Sequence, residues 1–297
     1  MPAVIRSFFH ADTNTWSHVI ADAATRVAAI VDPVLDFDPA SGRLGSAFAR
    51  ALLDYARAAD LRVAWLLETH AHADHLTAAD WLKRALGGTP PIGIGAGIVA
   101  VQRQFREVFG FGPEFAGDGT PFDRLFADGE AFALGELTVR VLATPGHTSD
   151  GVSYLIEDAG PEPGRAAVCV GDTLFAPAGG TGRCDFPGAD AATQYRSIRR
   201  LYALPDATRV LLCHDYPAAG AAPVAETTIG AEKAGNAQLD AATTEADYVA
   251  FRRRRDATLA APRLLYPSLQ VNICAGRLPA PDAAGRVFLR LPLRDER

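Results

Sequence analysis

The run Thr69-His70-Ala71-His72-Ala73-Asp74-His75 constrains this chain more than any other stretch. Before it, Arg62 to Leu67 reads as a buried strand, and after it Leu76 to Leu86 reads as a helix closed by Gly87-Gly88. The cluster therefore sits on a strand-to-helix turn, where side chains from a short loop can converge on one point. A lone His in a core is usually a hydrogen-bonded core residue. Three His and an Asp at this spacing instead form a ligand set for zinc, iron or manganese.

The other histidines extend the pattern. Of the seven in the chain, His147 lies in Thr144-Pro145-Gly146-His147-Thr148, a turn after the strand Leu137 to Ala143. His214 lies in Cys213-His214-Asp215-Tyr216, after the apolar strand Arg209 to Leu212. Between them, Asp172 follows the strand Ala166 to Val170 in Gly171-Asp172-Thr173. Each candidate ligand thus follows a predicted strand, and in layered α/β proteins sites form where strand ends meet. His10 and His18 lack such a setting and read as surface or core-edge residues.

Composition narrows the function classes. The chain has 297 residues, 48% hydrophobic and 22% charged, which suits a soluble globular protein of one large or two small domains. A net charge of −6 lacks the basic footprint of a general nucleic-acid or anionic-membrane binder. The N-terminus has no long apolar core and no stretch reaches a membrane span, so a cytoplasmic location is the default expectation. Cys169, Cys184, Cys213 and Cys274 form no C-x-x-C pair, which argues against a thiolate zinc site or a disulfide framework. Cys169 and Cys213 read as buried small residues. Cys184, in the polar loop Gly182-Arg183-Cys184-Asp185, is either a packed loop thiol or a contact of the active site.

Along the chain, Thr15 to Ala21 and Arg26 to Val31 read as a hairpin, with Asp22 to Thr25 as its turn. Residues 45–59 have helical spacing, as do 98–109, 191–203, Glu226 to Leu239 and Glu245 to Leu259. Residues 110–121 read as a surface loop, and 122–175 as mostly strands. The charge run Arg252 to Arg255 reads as a solvated helix face. Each half is a set of mainly antiparallel strands followed by helices. That predicts an α+β chain folded as a four-layer αββα sandwich. Residues 1–240 would form the catalytic domain, with 241–297 an extension packed on it.

H-x-H-x-D-H, then His147 in P-G-H-T, Asp172 in G-D-T and His214 in H-D-Y, in this order, resemble the metallo-β-lactamase superfamily, whose αββα fold the resemblance implies. Finer motifs resemble the persulfide dioxygenases, or sulfur dioxygenases, in their longer bacterial branch. They are Gly171-Asp172-Thr173-Leu174-Phe175, Gly182-Arg183-Cys184-Asp185-Phe186, Tyr195-Arg196-Ser197-Ile198, Glu232-Lys233-Ala234-Gly235-Asn236 and Pro267-Ser268-Leu269-Gln270-Val271-Asn272. There are departures: Thr181 stands where mitochondrial members have a Cys, Cys184 replaces a Thr, and Gln238 falls where a basic residue contacts glutathione.

The superfamily can hold two metals, on His70, His72 and His147 and on Asp74, His75 and His214, with Asp172 between. The dioxygenase resemblance implies one Fe(II) per chain on His70, His147 and Asp172. His72, Asp74, His75 and His214 then serve as a supporting shell or a second metal site. Such a two-His, one-carboxylate face leaves open positions, and iron can pass electrons to O2 where zinc cannot. The implied reaction is oxidation of glutathione persulfide or a similar small persulfide by O2 to sulfite and free thiol, a step in sulfide detoxification. Tyr216 and Arg183 are the candidate catalytic and substrate-binding residues, with Cys184 as a further substrate contact. Tyr216 could equally be a core Tyr, and Arg183 could pair with Asp185. The partners are a small persulfide and O2, with no nucleic acid or membrane; a homodimer stays open. The first rival is a glyoxalase II-type thioester hydrolase with one or two zinc ions. The second is a metal-bound regulatory module without catalysis.

Overall fold

The chain opens with β1 (Ala3–His10), β2 (Thr15–Asp22) and β3 (Val27–Val31). Along β3, Ala28 and Ile30 point to one side, and Val27, Ala29 and Val31 to the other; both sets are buried. A strand buried on both sides needs a layer on each. The computed structural model, which describes residues 3–157, 166–218 and 220–293, supplies both.

Short strands β4 (Val34–Leu35), β5 (Phe37–Asp38) and β6 (Arg43–Leu44) lead to α1 (Ala47–Ala58) and β7 (Arg62–Leu67). Then come β8 (Leu76–Thr77), α2 (Ala79–Ala85), β9 (Ile92–Gly95), α3 (Ile98–Phe109) and β10 (Arg124–Phe126). The second half holds β11 (Ala131–Leu134), β12 (Leu137–Ala143), β13 (Val152–Glu157), β14 (Ala167–Cys169), α4 (Ala191–Leu201), β15 (Arg209–Leu211), β16 (Glu226–Thr228) and α5 (Ile229–Gly235). α6 (Glu245–Asp256) and α7 (Leu265–Asn272) follow.

One sheet runs in the order β1-β2-β3-β7-β9-β10, antiparallel up to β3 and parallel beyond it. The other runs β11-β12-β13-β14-β15-β16, antiparallel except for the parallel β14–β15 pair. Between the sheets lie Ile20, Val31, Leu67, Val139, Val141, Tyr154 and Ile156. The outer face of the first sheet packs on α1, α2, α3 and α7 through Leu52, Leu82, Phe105 and Leu269. The outer face of the second packs on α4 and α6 through Val168, Val210, Ile198 and Tyr248. This is the αββα sandwich. Each buried Leu, Ile or Val contributes about 1.5–3 kcal/mol. α7 and α6 thus add a helix to each outer layer.

Local differences from expectation have physical causes. The helix expected from Leu76 begins at Ala79, because Leu76 and Thr77 pair with Leu35 and Val34. The helix expected over Glu226 to Leu239 shrinks to α5: Glu226–Thr228 pairs with β15, and Thr228 then caps the helix at Ala231 N–H. Arg252 does not lie on a solvated face. It is 2% exposed and paired with Asp256, and Arg253, Arg254 and Arg255 alone face solvent. α7 was hidden by Pro267, which sits in its first turn, where a missing N–H costs nothing.

A buried carboxyl on α5 makes stability pH-dependent. Glu232 is fully buried, accepts one bond from Asn236 Nδ2 (2.6 Å), and burial pushes its carboxyl up to about 7. The folded chain therefore holds this proton where the unfolded chain, near 4.5, has lost it. Stability from this group falls as pH rises from about 4.5 through 7, by about 3 kcal/mol in all. Glu232→Gln should flatten the fall in melting temperature between pH 5 and 8; an unchanged slope would contradict the assignment.

Candidate metal centre

The His-rich turn leaves the C-terminal end of β7, and two buried carboxylates hold its backbone. Asp32, which follows β3 with φ 49°, accepts from Thr69 N–H (2.7 Å), Thr69 Oγ1 (3.0 Å) and His72 Nε2 (3.0 Å). Asp150 accepts from Ala71 N–H at 2.8 Å. Behind Asp32, burial and the facing Asp32 charge hold the Glu68 carboxyl well above the usual range, and burial raises Asp32 as well.

Four imidazoles share one design: one nitrogen is anchored and the other is left toward the centre. His72 is held at Nε2 by Asp32, leaving Nδ1. His70 Nδ1 meets Thr69 Oγ1 at 3.0 Å, leaving Nε2. His147 Nδ1 donates to Arg183 O at 2.7 Å and His214 Nδ1 to Asn14 O at 3.0 Å, each leaving Nε2. Anchoring one nitrogen in this way sets the tautomer and aims the lone pair of the other. Asp172 arrives on a tight turn after β14 in which Gly171 has φ 52°. A Cβ at Gly171 would stand 2.7 Å from Thr69 Oγ1 and 3.3 Å from His70 Nδ1, so only glycine lets the two turns meet.

The atoms left over fit a metal. His70 Nε2, His72 Nδ1, Asp74 Oδ2, His75 Nδ1 and Nε2, Asp172 Oδ1 and His214 Nε2 are buried with no aligned hydrogen-bond partner. Such atoms are costly unless something binds them. His70, His147 and Asp172 place ligand atoms within 4.8 Å of one another, and so do His72, Asp74, His75 and His214. Asp172 links the groups, with Oδ2 3.4 Å from His147 Nε2 and Oδ1 3.3 Å from His214 Nε2. His72 falls with the second group, not with His70 and His147 as the two-metal expectation had it, although its ring is 4.0 Å from that of His70.

Charge follows the same plan. Burial, and then the neighbouring imidazoles, hold His70 and His72 well below the usual range, which keeps both rings neutral, the form that can bind a metal. Burial alone would raise the Asp74 carboxyl, yet the facing His214 and His75 outweigh it and hold Asp74 well below its ordinary value. Burial opposes a charge on His214, but Asp172 and Asp74 overcome it and raise that group. The carboxylates thus gather positive charge at one point, where a metal cation competes with a proton.

A cavity of about 520 Å³ opens over the centre, lined by His147, Asp172, Asp74, Phe175, Phe186 and Tyr216 among others. Tyr216 is no core residue: it is 62% exposed and stacks on His214 with ring centres 5.9 Å apart. Arg183 reaches the wall but is occupied, bonded twice to Asp185 (2.5 and 2.6 Å) and once to Ala260 O. Its contribution to the centre is the backbone carbonyl that holds His147. Cys184 does not line this cavity. Its thiol points at Gln194, and burial pushes the thiol up. Gln238 lines the wall, but its Oε1 accepts from Thr181 and Arg252. His10 and His18 are buried elsewhere, His18 bridging Ser7 Oγ and Leu212 O.

Asp32, Asp150 and the rim arginines belong to the site without lying in any of its motifs. Asp32 was readable as a polar residue ending a fully apolar strand, and Asp150 as the acid closing Thr148-Ser149-Asp150. Arg252, Arg255 and Arg263 gave no local signal, because they reach the cavity from α6 and the segment after it, far along the chain from the His-rich turn.

The sequence profile of the Metallo-beta-lactamase superfamily matches residues 12–214. A protein of Burkholderia pseudomallei named "Probable metallo-hydrolase" is 47% identical over 97% of this chain and 98% of its own length. "Glyoxylase B2" of Dictyostelium discoideum is 40% identical over 98% and 97%. The human mitochondrial "Persulfide dioxygenase ETHE1" is 26% identical over 72% and 69%. The crystal structure of ETHE1 from Myxococcus xanthus superposes with a TM-score of 0.71 at 27% identity, covering 92% of this chain and all of that one. With the ligand residues gathered at the ends of the central strands and the profile spanning them, the chain belongs to the metallo-beta-lactamase superfamily.

Proposed function

We propose that the protein is an iron-dependent dioxygenase that oxidises a small persulfide, such as glutathione persulfide, to sulfite and the free thiol. The observation that carries this reading is the group His70, His147 and Asp172. It offers two imidazoles and one carboxylate, and two of its three members form the cavity wall. Of the second group, only Asp74 reaches that wall. Iron in the first group would supply electrons to O2 and present open positions to the substrate. The balance is one persulfide, one O2 and one water giving thiol, sulfite and protons; the terminal sulfur is oxidised and O2 is reduced. The likeness to the ETHE1 proteins supports the same reading.

The protein's own residues do the positioning. Asp32, Thr69 and the Arg183 carbonyl hold the imidazoles; Phe175, Phe186 and Tyr216 line the cavity over Asp172. Arg255 and Arg263 are exposed at the cavity, and among the described residues neither pairs with a carboxylate. They suit the carboxylate of an anionic thiol carrier, a role that Gln238, with its Oε1 already engaged, does not fill. The double variant R255A/R263A should raise KM for glutathione persulfide about tenfold with kcat little changed. A fall in kcat with KM constant would contradict a role in binding.

The second group favours another reading. His72, Asp74, His75 and His214 could hold a second metal, and two zinc ions would make a thioester hydrolase. O2 uptake with glutathione persulfide and hydrolysis of S-lactoylglutathione, measured on the same preparation, decide. O2 consumption with matching sulfite release is the expected result. Brisk thioester hydrolysis without O2 uptake would overturn it.

A further inference from the structure

Four candidate ligand residues lie between Thr69 and Leu76; the carboxylates Asp32 and Asp150 hold the backbone of that loop only in its first half, at Thr69 and Ala71, and Asp32 touches the second half through the His72 ring alone. The second half, which carries His72 to His75, is held from the far end of the chain. Asn272, the last residue of α7, is 3% exposed, and its Nδ2 donates to His72 O and to His75 O, each at 2.7 Å. Its Oδ1 accepts from Thr77 N–H at 2.8 Å. The amide orientation is fixed by chemistry, because a backbone N–H can only donate and a carbonyl can only accept. One side chain thus spans the loop and satisfies two buried carbonyls and one buried N–H.

The anchor is itself braced. Leu269 and Val271 pack into the core with α1, α2 and α3, and Gln102 Nε2 donates to Ile273 O at 2.8 Å. Gly276, at φ +85°, brings the following turn so close that a Cβ there would lie 3.0 Å from Asp80 N and 3.2 Å from Thr77 O. The segment after residue 260 therefore does more than cover the first sheet.

We infer that Asn272 is a positioning residue for the metal centre: it fixes the backbone of His72 to Thr77 so that the imidazoles of His72 and His75 face the metal. The inference rests on the metal-binding reading of this loop and holds for either reaction.

The test is Co(II) titration of metal-free protein, read by the visible bands of the bound ion and by competition with a chelator. Three variants are compared with the parent. Asn272→Ala removes all three bonds. Asn272→Asp keeps the size and the Thr77 bond but loses both donors, and carries the test if the Ala variant does not fold. Gln270→Ala is the control. Gln270 is equally buried on the same helix, but its bonds go to Tyr266 O, Arg290 O and Arg290 N, away from the loop. Both Asn272 variants should bind Co(II) about 10–100-fold more weakly, with altered bands. Gln270→Ala should lower the melting temperature and leave cobalt affinity and bands unchanged. Parental affinity and bands in the Asn272 variants, or the same weakening in Gln270→Ala, would overturn the inference while the metal reading stood. If the parent itself took up no cobalt, both would fall.

Discussion

Replacing Asp172 with Ala should lower turnover by about 1,000-fold or more and strip the protein of bound metal. Asp172 stands between the two ligand groups, one oxygen toward His147 and the other toward His214. Loss of a metal's polarising charge removes several kcal/mol of transition-state stabilisation, and each 1.4 kcal/mol is a factor of ten. Asp172→Glu keeps the charge but displaces the carboxylate by one methylene, so partial metal retention is expected there. Metal content and initial rates check both variants. An Asp172→Ala protein with full metal and near-parental rate would remove Asp172 from the centre.

The second large effect belongs to a residue that touches no substrate. Asp32→Ala deletes the acceptor of Thr69 N–H, Thr69 Oγ1 and His72 Nε2, all buried. Leaving such donors unpaired costs about 1–3 kcal/mol each, so a total loss of about 3–5 kcal/mol is expected after local relaxation. His72 is then free to change tautomer, and metal affinity should fall about 10–100-fold besides. Denaturant melts of the metal-free protein measure the first effect, and chelator competition the second. Asp32→Ala with parental stability and affinity would mean that the turn holds itself.

Much of this was readable from residue order. The turn at His70 to His75, the strands before His147, Asp172 and His214, and the hairpin at the N-terminus depend on local pattern, and local pattern is what a sequence displays. The supporting shell was less legible, because a buried Asp looks the same in a sequence as an exposed one. Asp32 becomes an anchor only when β3 and β7 lie side by side, and Asp150 only when the second sheet meets the first. Arg252 looked like one member of a solvated run. It is buried because Asp256, one turn further along α6, neutralises it beneath the cavity wall. Asn272 reaches the metal loop across some two hundred residues of chain, a distance over which no spacing rule operates.

The proposed reaction requires the working metal to sit on His70, His147 and Asp172. The direct measurement is metal analysis of protein purified without added metal, with anomalous diffraction to place the ion. About one iron per chain is expected, bound by those three residues, with Asp74, His75 and His214 holding no second ion. Two zinc ions per chain, the second bound by Asp74, His75 and His214, would contradict it and favour the thioester hydrolase.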